Sequence, residues 1–130
     1  MGNNLKDMRL DIERSSMSRS EELAAFKASL GELVEEAPEL EQFVGFVESA
    51  ETTTVIDHKT KELMSLAIGV VTRCDHCILW HTDAALEAGA THEEIIDTLK
   101  IAVVMGGGPA MTYAIVAYET LQALEAERDE

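Results

Sequence analysis

The chain has 130 residues, 46% of them hydrophobic and 5% aromatic, and its 25 acidic and 10 basic residues give a formal charge of −15. That length suits one domain whose core needs no disulfide staple or structural metal. So acidic a surface repels nucleic-acid phosphates and anionic membranes, which argues against both as partners; its plainest use is solubility.

In chain order, residues 1–19 read as a flexible arm and residues 20–130 as a single helical domain. Ser20 is placed to cap a first helix, about Glu21 to Ala37, with Leu23, Phe26, Leu30, Leu33 and Val34 on one stripe. Pro38 suits the start of a second helix, with Leu40, Phe43, Val44 and Val47 as its stripe. Glu51-Thr52-Thr53-Thr54 reads as a connection. Asp57 can cap a third helix, about 58–72, that is apolar almost all round, which predicts a central, buried element. Glu62 is the acid embedded in its first half. A fourth helix opens at Cys74-x-x-Cys77 and ends near Ala88, with Gly89 as its stop. Thr91-His92-Glu93-Glu94 is a capping box for a fifth helix through Ile95, Ile96, Leu99, Ile101, Ala102 and Val104. Gly106-Gly107-Gly108 breaks it, and Pro109 opens a sixth helix running to about Arg128. No stretch shows strand alternation, so the expected fold class is all-α.

Met1 to Ser20 lacks the apolar core of a secretory signal. The longest uninterrupted apolar stretch is read as Leu63 to Val71, with one serine and one glycine inside it, far below the roughly 18–20 residues of a membrane helix. The expected location is cytoplasmic. There, a lone Cys-x-x-Cys is more often catalytic or metal-binding than a structural staple.

The segment Cys74-Asp75-His76-Cys77-Ile78-Leu79-Trp80-His81 holds both cysteines of the chain. On a helix, Cys74, Cys77 and His81 share one face. A thiol pair able to close a disulfide then lies beside a base able to ionise one thiol. A helix N-terminus near Cys74 favours a thiolate, as does Arg73, while Asp75 and Asp83 oppose it. A free cysteine with a pKa of about 8.5 is roughly 3% thiolate at pH 7, and lowering that pKa to about 7 gains about fifteenfold. Glu62 is the natural third member. If the third and fourth helices form a hairpin turning near Arg73, Glu62 lies about 16 Å back along one and His81 about 12 Å along the other. Side chains can span that difference, which makes a Glu62–His81–Cys77 relay geometrically accessible. A glutamate in so apolar a helix is costly unless paired. The alternative is an exposed Glu62 on the helix's first turns. His76 points either to solvent or to the thiols, and residue type alone does not choose.

Glu62, Cys74-x-His76-Cys77 and His81, at this spacing, resemble the signature of the alkylhydroperoxidase (AhpD-like) core within the carboxymuconolactone decarboxylase superfamily. Leu66-Ala67 and Gly106-Gly107-Gly108-Pro109-Ala110 are also similar to that superfamily, and the resemblance covers roughly residues 35–127. It implies an all-α bundle built around a helical hairpin, assembled as trimers or hexamers. It also implies a thiol-dependent peroxidase or disulfide oxidoreductase that needs no cofactor, with a lipoyl-carrying protein or a peroxiredoxin as redox partner. By this resemblance Cys77 is the peroxide-reacting thiol and Cys74 its disulfide partner. Glu62 and His81 form the proton relay, and His76 is a further site histidine. The chain holds one such core, which departs from the larger AhpD proteins.

Two other readings compete. Lactone decarboxylation, the superfamily's other activity, does not require a cysteine pair. A zinc-binding or interaction module could use Cys74, Cys77 and His81, with His58 or His92 as a fourth ligand. Structural zinc sites usually close with a second, separated ligand pair, and the sequence shows none.

Overall fold

The computed structural model describes residues 16–52 and 55–129, together with Leu5 and Met8, and every regular element among them is helical. The flexible arm expected over residues 1–19 lies almost wholly outside the described residues. Helix α1 spans Arg19–Glu36, and a single 3-10 turn, Pro38–Leu40, leads into α2, Glu41–Thr52. Helices α3, His58–Val71, and α4, Asp75–Glu87, form a hairpin, and α5, His92–Arg128, two helical segments meeting at a break at Gly107, packs against both.

Local chemistry sets most of the boundaries. Asp57 caps α3 by accepting the Thr60 N–H at 2.7 Å. Thr91 and Glu94 close the expected capping box of α5. At the end of α4, Gly89 takes φ +92 while its N–H and that of Ala90 bond back to Leu86 and Ala85, the glycine-stopped helix end the sequence predicts. The first helix starts differently from expectation. Ser18, not Ser20, accepts the Glu21 N–H, so α1 begins at Arg19. Ser20 instead bonds the Glu127 carboxylate on α5. The freed Arg19 ties three elements together, reaching Glu22 at 2.9 Å, Thr120 at 2.8 Å and Asp75 at 3.5 Å. Pro38 opens the 3-10 turn rather than α2 itself, and Glu51 and Thr52, expected in a connection, form the last residues of α2.

The main core joins Leu66 and Val70 of α3, Ile78 and Ala85 of α4, and Ile95, Leu99, Ala102, Ala114, Ala117 and Leu121 of α5. Burying each large aliphatic side chain contributes about 1.5–3 kcal/mol. The alanine run of α5 brings that helix close to the hairpin, and α1 adds a smaller cluster through Leu23, Leu79 and Leu124.

Two expectations need correction. Helix α3 is not buried all round: Glu62, Leu66, Gly69 and Val70 face the core, but Met64 and Ile68 are exposed. Among the described residues nothing covers that face, and with Phe46, Val47 and Ile56 it borders an apolar groove of about 380 Å³. The stretch Leu63 to Val71 is also not the most membrane-like one. Ile101 to Tyr118 carries no charged residue, and α5 is long and apolar enough, by length and composition alone, to cross a membrane. Its break comes where the glycines predict it. Gly107 adopts φ +68 and ψ −150 inside α5, a region essentially closed to other residues.

Gly107→Ala is therefore expected to lose about 1–3 kcal/mol of stability in denaturant titration. Gly108→Ala, where an added Cβ meets open space within the helix, should instead be neutral or gain up to about 1 kcal/mol.

Candidate active site

The site is built on the turn between α3 and α4. Thr72 ends α3, and Arg73 takes the left-handed conformation at φ +58. The Arg73 N–H bonds the Val70 carbonyl and the Cys74 N–H bonds the Gly69 carbonyl, a Schellman closure with arginine where glycine is usual. Cys74 is also the N-cap of α4, its sulfur accepting the Cys77 N–H at 3.3 Å. One residue thus closes one helix through its backbone and opens the next through its side chain. Cys74 and Cys77 are joined as a disulfide with their Cα atoms 5.2 Å apart, and both are partly exposed. The helix end acts on Cys74, because the N–H already aimed at its sulfur would stabilise a thiolate there.

Gly69 sets the spacing beneath the pair. A Cβ at that position would lie 3.1 Å from the Cys77 Cβ, tighter than ordinary packing. No motif marks this glycine; its only signal is a glycine inside an apolar helix, five residues before the first cysteine.

Glu62 is 2% exposed, and its Oε2 lies 2.7 Å from Nδ1 of His81. The hairpin thus brings the two residues together across helices, and the exposed alternative for Glu62 does not hold. An ionised carboxylate only accepts, so Nδ1 carries the proton and donates it. In the neutral ring this leaves the Nε2 lone pair free, with Cys77 one turn back on the same helix face. Asp75 and Asp83, counted against a thiolate, have cationic neighbours of their own in Arg19 and Arg128.

His76 is placed apart from the Glu62–His81 pair. Its exposed ring stacks on Phe26 of α1, with centroids 4.3 Å apart and planes 20° from parallel. Trp80 meets the same Phe26 edge-on, and Lys27 lies over the indole at 4.8 Å. The aromatic cover on this side of α4 therefore comes from α1. His92 is engaged with Glu125 on α5, at 2.9 Å, rather than with the cysteines.

Two further residues adjoin the pair: Glu51, which the sequence did not mark as a site residue, and His58, named there only as a candidate fourth zinc ligand. His58 donates from Nδ1 to the Glu51 carbonyl at 3.1 Å and places Nε2 3.9 Å from Glu62 Oε1. Glu51, at the end of α2, brings its carboxylate into a group in which one ligand atom each of Glu51, Glu62 and His81 lies within 4.8 Å of the others. Among the described residues, these are the groups with the donor type and spacing to hold a cation. Burial, and then the Glu62 carboxylate, hold the Glu51 carboxyl above the ordinary glutamate range, against the opposing pull of His81 and His58. No motif marks Glu51, since its partners lie 11 and 30 residues away (62 − 51 and 81 − 51).

An all-helical chain with a cysteine pair at a helix start and a buried Glu–His contact across a hairpin defines an AhpD-like bundle. Residues 38–120 match the carboxymuconolactone decarboxylase family, and the chain belongs to it. An uncharacterised protein of Cupriavidus necator is 38% identical over 84 residues, covering 65% of this chain and 74% of that protein. The alkyl hydroperoxide reductase AhpD of Mycobacterium marinum is 33% identical over 69 residues; the match covers 53% of this chain but only 37% of that larger protein. A crystal structure from Thermotoga maritima aligns with TM-score 0.78 at 30% identity, over 83% of this chain and 93% of that one. It is a carboxymuconolactone decarboxylase family protein considered a candidate participant in an antioxidative response.

Gly69→Ala is expected to force α3 from α4 at Cys77 and to destabilise the chain by about 1–3 kcal/mol. Gly45→Ala, where an added Cβ meets open space, serves as the matched control in the same thermal melts.

Proposed function

We propose that this chain is a thiol-dependent peroxidase, or a disulfide oxidoreductase of the same chemistry, using Cys74 and Cys77 as its redox pair. The observation that carries the reading is the buried Glu62 carboxylate 2.7 Å from His81, one helical turn after Cys77. Similarity to AhpD and to the Thermotoga protein supports it.

The reaction balances within these residues. His81 Nε2 takes the proton of the Cys77 thiol, and Glu62 stabilises the imidazolium through Nδ1. The thiolate attacks a peroxide oxygen; an S–O bond forms, the O–O bond breaks, and the departing alkoxide leaves as an alcohol with the proton from His81. Cys77 is then a sulfenic acid. The Cys74 thiol gives its proton to the now neutral His81, and its sulfur, favoured as a thiolate by the helix end, attacks Cys77 Sγ; the disulfide forms, the S–O bond breaks and the hydroxyl leaves as water with that proton. An external dithiol restores the pair by exchange, supplying two electrons and two protons. A lipoyl-carrying protein or a peroxiredoxin fits as redox partner, and the location fitted to the chemistry is the reducing cytoplasm. His76, exposed beside the pair, is assigned to the face on which a partner would dock. A homotrimer or hexamer would cover the exposed Met64, Ile68 and Phe46.

Titrating the reduced chain with a hydroperoxide should consume two thiols per chain, and dihydrolipoamide should return both. If both thiols survive excess peroxide and no disulfide exchanges, the assignment fails. Glu62→Gln and His81→Phe should each slow thiol reaction at pH 7 by up to about fifteenfold, the gain expected from lowering a thiol pKa from 8.5 to 7. Equal rates across pH would remove the relay. Lactone decarboxylation that persists in a Cys74→Ser, Cys77→Ser double variant would point to the superfamily's other activity.

A further inference from the structure

Glu51 lies outside the motif, and the hairpin does not need it. Its position is nonetheless fixed with care. Lys61 donates to the Ala50 carbonyl at 2.7 Å and His58 to the Glu51 carbonyl at 3.1 Å, so the first turn of α3 grips the last turn of α2 by its backbone. The grip leaves the Glu51 side chain unused as a tether. That side chain instead joins the buried Glu62 and His81, with ligand atoms within 4.8 Å of one another.

From this placement we propose that Glu51 is a positioning residue for His81: its carboxyl and that of Glu62 form a two-carboxylate clamp that steadies the imidazolium created when His81 accepts the thiol proton. The proposal rests on the relay read above for Cys77. The proton balance is simple. The S–H bond of Cys77 breaks with its electron pair left on sulfur, and an N–H bond forms at His81 Nε2. With His81 charged, both carboxylates can ionise at little cost. With His81 neutral, the two adjacent carboxylates repel one another, so the clamp favours the charged imidazolium over the neutral ring.

The charged and titratable groups facing Glu51 are Glu48 on its own helix, Glu62 and His58 on α3, and His81 on α4, with Lys61 bonded to the adjoining carbonyl. Burial and Glu62, the two largest influences, raise the Glu51 carboxyl. The sign of the linkage follows. The folded chain holds the Glu51 proton more tightly than the unfolded chain. Stability from this group is present below the ordinary glutamate range and is lost as pH rises through the raised folded value. A residue kept only for stability would have the opposite effect when removed at neutral pH.

The test uses the full-length chain, reduced and then freed of reductant, with iodoacetamide alkylation followed as a function of pH and melting temperature measured in parallel. Glu51→Gln is expected to react about three- to tenfold more slowly at pH 7, its profile displaced to higher pH by about half to one unit, a modest loss for an opposite charge removed nearby. The same variant should melt at a higher temperature than wild type at pH 7, with the difference vanishing at about pH 3, below the ordinary glutamate range, where the carboxyl is protonated in both states. An alkylation profile identical to wild type overturns the proposal, whatever the melting temperature. So does stoichiometric zinc in purified wild type that is absent from Glu51→Gln, because the cluster would then hold a cation. Alkylation needs no peroxide, so failure of the peroxidase reading leaves the measurement intact. A profile moved by Glu62→Gln but not by Glu51→Gln defeats this proposal alone, and one moved by neither defeats the relay as well.

Discussion

The constraint on which the rest depends is the double duty of Cys74. Its N–H closes the Schellman turn of α3 and its sulfur caps α4. The hairpin has no slack: two residues, Thr72 and Arg73, separate the end of one helix from the residue that caps the next. That shortness fixes the register between the helices. It brings Glu62, three turns before the bend, within side-chain reach of His81, two turns after it. The buried carboxylate, which in isolation would be among the costliest groups in the core, acquires a donor at 2.7 Å. Gly69 completes the arrangement by letting Cys77 approach the α3 backbone.

Energetically the molecule divides in two. The stabilising half is the alanine-rich contact of α5 with the hairpin, together with Leu66, Val70, Ile78 and Leu121. The other half is held in place at some expense to stability: a left-handed arginine at the turn, a buried carboxylate, and a second carboxylate beside it with its pKa raised. These groups cluster within one hairpin and the adjoining end of α2. Strain and desolvation concentrated next to a thiol pair are what a reactive site requires, because reactivity depends on groups that the fold alone would not choose.

Much of this was legible in the sequence. The helices announced themselves by period and caps, as at Asp57, the Thr91–Glu94 box and Gly89. Spacing made a Glu62–His81 contact accessible, because a helix advances a fixed distance per residue and a hairpin folds that distance back, but it left an exposed Glu62 open until the fold showed it buried. The misreadings have equally plain causes. Ser18 and Ser20 both precede Glu21, but Ser18 stands three residues before it, the Ser-x-x-Glu spacing of a capped start, and its side chain accepts the Glu21 N–H. Met64 and Ile68 look like core because periodicity reports apolarity, not what covers it. His76 could not be placed because Phe26, which stacks on it, belongs to a helix far away in sequence. Glu51 was invisible for the same reason: its meaning lies wholly in tertiary neighbours.

The grip on α2 has one more consequence. Lys61 and His58 hold the carbonyls of residues 50 and 51, and a carbonyl is the same whatever side chain its residue bears. The attachment is therefore indifferent to the identity of residue 51. Relatives built on this scaffold can exchange that side chain for a neutral, longer or oppositely charged one without unlatching α2 or moving the cysteines. Position 51 is a tuning screw on a fixed block: its side chain can change while the backbone that holds it does not.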